Sequence, residues 1–247
     1  MSITKPLVSW LSSPRFLLMR GVLPLLLLSG LVMAESGVTG GPNCHRTVPA
    51  GTDAHIHLKN YMGSVEVRNG DKDKILVTAD VPDDCVTVDK GGNMVDIRPI
   101  KEKGIRPINF VISVPQTCAV TVACINCKVN AHGLQGDLEI QTHEGDIELY
   151  SIQSKSVKIN SINGRISFDG DILAGGHYSF DSINSIDLFL PKDASFDLMT
   201  TSEREHVDLG GFGLINPSAG RRVAGKHGDG GAKVEVTSQG SIHFHRR

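Results

Sequence analysis

At 247 residues the chain has room for one large domain or two small ones, and its 40% hydrophobic and 21% charged residues are those of a globular protein rather than a disordered or membrane-embedded one. A formal net charge of −2, with no Lys/Arg stripe, argues against the cationic surface that nucleic-acid binding needs. Aromatics at 5% against 27 glycines point to many tight turns over thin layers of aliphatic packing.

Residues 1–34 differ from the rest. Lys5, Arg15 and Arg20 are the only charges, and they precede the apolar run GVLPLLLLSGLVMA, which ends on Val32, Met33 and Ala34 before the polar start at Glu35. A positive region, a short apolar region and small residues describe a secretory signal peptide. The run is 14 residues and holds Pro24, short of the roughly 20 needed to cross a bilayer as a retained anchor. No lipid-attachment box precedes Cys44. Without these three cations the remainder carries a net charge of −5. Export permits disulfides among Cys44, Cys85, Cys118, Cys124 and Cys127, and the odd number leaves at least one thiol unpaired in a monomer.

Residues 35–54 read as a flexible lead into the domain that fills 55–247. From His55 the pattern is β-like but irregular: His55–Leu58, Ser64–Val67, Ile75–Val77, Val86–Val88, Met94–Ile97 and Phe110–Val114 alternate or run apolar. They suit first rungs, or a sheet that caps an open end.

From Cys127 the chain repeats. Val129, Ile147, Ile166, Ile186, Val207 and Ile242 form one apolar column, and Ala131, Leu149, Phe168, Leu188, Leu209 and Phe244 form a second, two residues later. The positions between them (Asn130, Glu148, Ser167, Asp187, Asp208 and His243) are all polar, which is the alternation of a strand with one buried face. The preceding corner reads Cys127, Gly145, Gly164, Asn184, Glu205 and Gly240, mostly residues that tolerate tight backbone turns. Column spacings of 18, 19, 20 and 21 residues, then 35, describe one unit repeated with small indels at its corners. A second alternating stretch precedes each corner at Leu138–Ile140, Val157–Ile159, Tyr178–Phe180, Phe196–Leu198 and Val234–Val236.

Two short strands per unit of about 20 residues predict a right-handed parallel β-solenoid, a β-helix-like single domain whose stacked rungs bury one continuous core. An antiparallel meander also fits short strands at this spacing. The recurrence of like residues at the full rung period favours the solenoid, as does the sign alternation of Lys128, Asp146 and Arg165. The glycine-rich segment 210–231 interrupts the repeat and reads as a loop.

Four groups could carry chemistry. Asp187 and Asp208, on adjacent rungs, would stand about 4.8 Å apart, near the separation of a retaining glycosidase pair; the aromatic platform expected beside a sugar is missing from this reading. Cys118, Cys124, Cys127 and His132 hold only one zinc-like pair, and a disulfide or buried thiols explain them better. His206, His243 and His245 read as surface histidines rather than a metal patch. GKHGDGG is glycine-rich but lacks the following helix of a phosphate site. No catalytic, cofactor-binding or metal residue is assigned.

The segments FVISVPQTCAVTV, HGLQGDLEIQTHEGDIEL, NSINGRISF, SINSIDLFLPKDASFDLMTTS and GRRVAGKHGDGGAKVEVTSQGSIHF together resemble the bacterial putative adhesin domain, a family of exported β-solenoid proteins. Cys127 and Glu205 depart from the family's usual corner glycine. The resemblance implies a non-enzymatic protein, secreted, periplasmic or attached to the cell envelope. Its partner would be a cell surface, polysaccharide or protein, and it would need no cofactor. The alternatives are a carbohydrate-active β-helix enzyme using Asp187 and Asp208, and a solenoid that self-assembles end to end.

Overall fold

Apolar–polar alternation becomes strand almost throughout. The computed structural model describes residues 43–51, 53–203, 207–215 and 221–247; the signal-peptide reading, Glu205, His206 and Pro217 lie outside them. In chain order the strands are β1 (Cys44–Pro49), β2 (His55–Asn69), β3 (Lys74–Ala79), β4 (Val86–Gly91), β5 (Met94–Pro99), β6 (Ile108–Val114), β7 (Ala119–His132), β8 (Leu138–Glu144) and β9 (Ile147–Ile152). Then follow β10 (Ser156–Asn163), β11 (Ile166–Gly170), β12 (His177–Ser182), β13 (Ile186–Leu190), β14 (Phe196–Ser202), β15 (Val207–Asp208), β16 (Arg222–His227), β17 (Lys233–Ser238) and β18 (Ile242–Arg246).

The first strands of successive rungs pair in parallel: β5 on β2, β2 on β7, β7 on β8, β8 on β10, β10 on β12, β12 on β17 and β17 on β14. The second strands do the same, with β6 on the C-terminal half of β2, then β7, β9, β11, β13, β18 and β15. The long strands β2 and β7 run through both series and join them. The expected stack is real: Val129 lies beside Ile147, Ile147 beside Ile166, and Ile166 beside Ile186. Val129 and all three isoleucines are fully buried. Burial of a side chain this size stabilises by about 1.5–3 kcal/mol, so the columns are the main source of cohesion.

Four expectations need correction. The last rung does not stack in chain order: Ile242 sits between Ile186 and Val207, because β17 and β18 enter between β12–β13 and β14–β15. The pairing is also mixed rather than wholly parallel. β4 lies antiparallel on β5, β3 on β6, β1 on β3 and β16 on β14, all at the ends of the stack. Finally, part of 35–54 is ordered, since Cys44–Pro49 pairs with β3 over its whole length. The segment 210–231 is likewise more than a loop: it supplies β16, and Phe212 packs its ring against Phe196 and Phe244 under the end of the core.

The corners have their own buried column. Thr142, Ser161, Ser182, Ser238 and Ser202 point inward at equivalent positions, and each hydroxyl meets a corner carbonyl. Ser182 donates to Gly164 at 2.6 Å, Ser238 to Asn184 at 2.5 Å and Ser202 to Gly240 at 3.0 Å. On β7 the same column holds Cys124, which is disulfide-bonded to Cys127 three residues on. The disulfide spans the two positions that Thr142 and Gly145 bridge by a hydrogen bond on the next rung, whereas the serines reach the corner carbonyl of a neighbouring rung. Glycine is required where the rungs crowd: at Gly145, with φ +119°, a Cβ would lie 2.1 Å from the Cys127 carbonyl oxygen.

Candidate functional site

On the second series, the outward positions face solvent and form columns across the rungs. One column runs Asn130, Glu148, Ser167, Asp187, His243 and Asp208. In the next, His132 stands beside Tyr150 and Phe189 lies between Asp169 and His245. Ser167 is the small member between Glu148 and Asp187, and its short side chain leaves a groove. Tyr150 and Phe189 wall the groove on one side, and Asp146 and Arg165 on the other.

A bulge shapes the tyrosine wall. Between β9 and β11 the register shifts, so Tyr150 and Ser151 oppose the single residue Asp169, with Ser151 at φ 54°. An extra residue bends the strand and re-aims its side chains. Tyr150 is held there: its hydroxyl donates to Glu148 Oε2 at 3.0 Å, while Lys128 Nζ reaches Glu148 Oε1 at 2.7 Å. Partial burial and then the neighbouring Glu148 carboxylate raise the Tyr150 phenol above its ordinary value, which keeps it a donor.

The phenylalanine wall is also fixed. His245 stacks on Phe189 at 4.4 Å and 14° between planes, and its Nε2 meets Asp187 Oδ1 at 3.1 Å. Opposite, the Arg165 main-chain N–H donates to Asp146 Oδ1 at 2.8 Å, whereas its side chain stays 70% exposed and reaches Asp146 Oδ2 only at 3.5 Å. Among the described residues, three groups lining the groove keep open hydrogen-bonding capacity. They are the Ser167 hydroxyl, the second oxygen of Asp187 and most of the Arg165 guanidinium.

The groups singled out by sequence fare differently. The Lys128, Asp146 and Arg165 column forms, but Lys128 pairs with Glu148 rather than with Asp146. Asp187 and Asp208 are not on adjacent rungs, because His243 stands between them. That puts the two backbones about 9.6 Å apart, twice the strand spacing, and the close pair is not formed. Each is otherwise engaged: Asp187 with His245, and Asp208 with the Gly210 N–H at 2.9 Å. Cys124 and Cys127 are disulfide-bonded and Cys118 is buried apart. His243 and His245 are neighbours, with ring centroids 6.2 Å apart. No three His, Cys, Asp or Glu side chains among the described residues converge as a metal site. GKHGDGG turns back onto Asp197, whose carboxylate accepts the Gly231 N–H at 3.0 Å and so occupies the place an anion would take.

The aromatic walls were the missed feature, and the signal for them was present. The residues directly after Ala131, Leu149, Phe168 and Leu188 are His132, Tyr150, Asp169 and Phe189. They face outward by the same alternation that buries their neighbours.

Fold and groove together define a repetitive all-β scaffold with an aromatic-walled depression on its outward face. Among solved structures, a putative cell adhesion protein from Clostridium sporogenes aligns over 83% of this chain and 100% of its own, at 11% identity and a TM-score of 0.50. A putative adhesin from Bacteroides fragilis aligns over 82% and 96%, at 14% identity and a TM-score of 0.42. No family model and no curated protein matches the chain. At 11% identity the likeness to the C. sporogenes structure is one of fold, and that fold agrees with the adhesin-domain resemblance carried by the repeats.

Proposed function

We propose that this is an exported, non-enzymatic binding protein, adhesin-like, secreted or held at the cell envelope. Its solenoid would be right-handed, with residues 1–34 as the export signal of the 55–247 domain. The observation that carries the reading is the pre-ordered groove. Its aromatic walls are braced by Glu148 and His245, while Ser167, Asp187 and Arg165 keep free valences toward solvent. A braced site with unspent hydrogen bonds loses little freedom on binding a partner. The separation of Asp187 from Asp208 removes the pair on which a hydrolytic reading depended. The C. sporogenes structure supports the fold beneath this reading, and no helix among the described residues is long and apolar enough to cross a membrane.

Cell fractionation with N-terminal sequencing tests export, with a mature start at Glu35 expected. Retention of the purified protein on whole cells or envelope fragments tests binding. A cytoplasmic protein with an intact Met1 would sink the first part, and the absence of saturable retention would sink the second.

A further inference from the structure

We infer that the groove over Ser167, walled on one side by Tyr150 and Phe189, is a subsite for one unit of a neutral saccharide, an inference that rests on the binding reading above. The walls come first. Tyr150 on β9 and Phe189 on β13 stand in one column along one side of the groove, with Asp169 of β11, itself paired to Arg247, between them, so their backbones are about 9.6 Å apart. A sugar ring lying over Ser167, in the neighbouring column, would meet both aromatic side chains along its one edge. Aromatic rings offer apolar faces to the C–H face of a sugar, and rigid aromatic walls give up little entropy in doing so.

The polar groups then discriminate among ligand classes. The Ser167 hydroxyl both donates and accepts, the free oxygen of Asp187 accepts, and the Arg165 guanidinium donates. A polyol needs all three kinds of partner within one ring's reach. An ammonium ligand would meet the Arg165 charge at the rim, and it could not use the donors. An anionic ligand would meet Asp146, Glu148 and Asp187 against only Arg165 and Lys128, a local balance of the wrong sign. A neutral sugar is the class that satisfies both donors and acceptors without unpaired charge.

The site is also open along the stack. It lies on a face that continues past His243 and His132, so a longer chain could pass through it. The arrangement fits an internal unit of a polysaccharide rather than a free monosaccharide in a closed cavity.

The test is an array of neutral and acidic glycans probed with the full exported chain, followed by calorimetry on the tightest binder. Phe189→Ala and Ser167→Phe are compared with the parent, and melting temperature checks folding. If either variant is misfolded, Arg165→Gln, at an exposed side chain, takes its place. The expected result is a neutral binder weakened about tenfold by Phe189→Ala, equivalent to about 1.4 kcal/mol, and abolished by Ser167→Phe. Binding should change little between about 50 and about 500 mM salt, because no charge pair drives it. Binding that survives the groove variants, preference for acidic glycans, or no glycan binding at all would overturn the inference. If envelope retention persists in the last case, the saccharide subsite fails and the binding reading stands; if retention is also absent, both fail.

Discussion

Ser182 shows how single residues hold the corners. It donates to the Gly164 carbonyl and accepts the Asn184 N–H at 3.0 Å, closing the corner with a hydroxyl that is itself buried. Ser182→Ala should therefore destabilise by about 1–3 kcal/mol, the cost of an unsatisfied buried group, as read by denaturant unfolding. Gly145→Ala should cost at least as much, since it adds about 1–3 kcal/mol of backbone strain to a clash with the Cys127 carbonyl. The free thiols make a sharper case. Burial pushes Cys118 from 9.0 up to about 11, and burial with the Asp83 carboxylate raises Cys44. The native protein should not react with a thiol reagent near pH 8, while unfolding without reductant should expose the three thiols Cys44, Cys85 and Cys118. The neutral thiol is favoured in the fold, so the stability Cys118 contributes is intact below pH 9.0 and drains away as pH rises toward about 11. Any reactive thiol counted in the native state at pH 8 would contradict this.

Among the elements, the rungs from β7 to β13 were legible because their signal is local. Val129, Ile147, Ile166 and Ile186 repeat at intervals of 18 to 20 residues, and each interval is one strand, one corner and one strand. The order of the final rungs was not legible in that way. Val207 and Ile242 fit the columns equally well in either order, and strand alternation says nothing about which neighbour a strand chooses. The 35-residue gap between them is the only trace of the detour through β16. The tyrosine wall was hidden for a related reason: its bulge turns on Ser151, not a glycine, at positive φ. The insertion has a measurable consequence. Removing residues 210–247 would not shorten the stack by one rung, as chain-order stacking implies; it would leave β14 and β15 with no parallel neighbour. The truncated chain should lose its cooperative unfolding transition by circular dichroism. A slightly lowered but cooperative melt would count against the insertion.

At the scale of the molecule, the ends decide whether the stack can grow. A parallel solenoid with bare terminal rungs offers unpaired backbone to another copy. Here β4, β1 and β16 cover the ends in antiparallel sense, and β16 brings Arg222 and Lys226 to its edge. Sedimentation should therefore show a monomer over a wide concentration range, and concentration-dependent filaments would revive end-to-end assembly. This geometry leaves the outward columns as the surface free to meet a partner.

The late entry of β17 and β18 also sets a clock. The gap beside β12 and β13 stays open until Lys233–Arg246 has been made, 44 residues after Ser202. At about 5–20 residues per second, that is a delay of roughly 2–9 s. Throughout it, the nascent chain holds an unclosed core. A polypeptide wired this way keeps itself threadable while it is being synthesised and sets only once its last strands arrive.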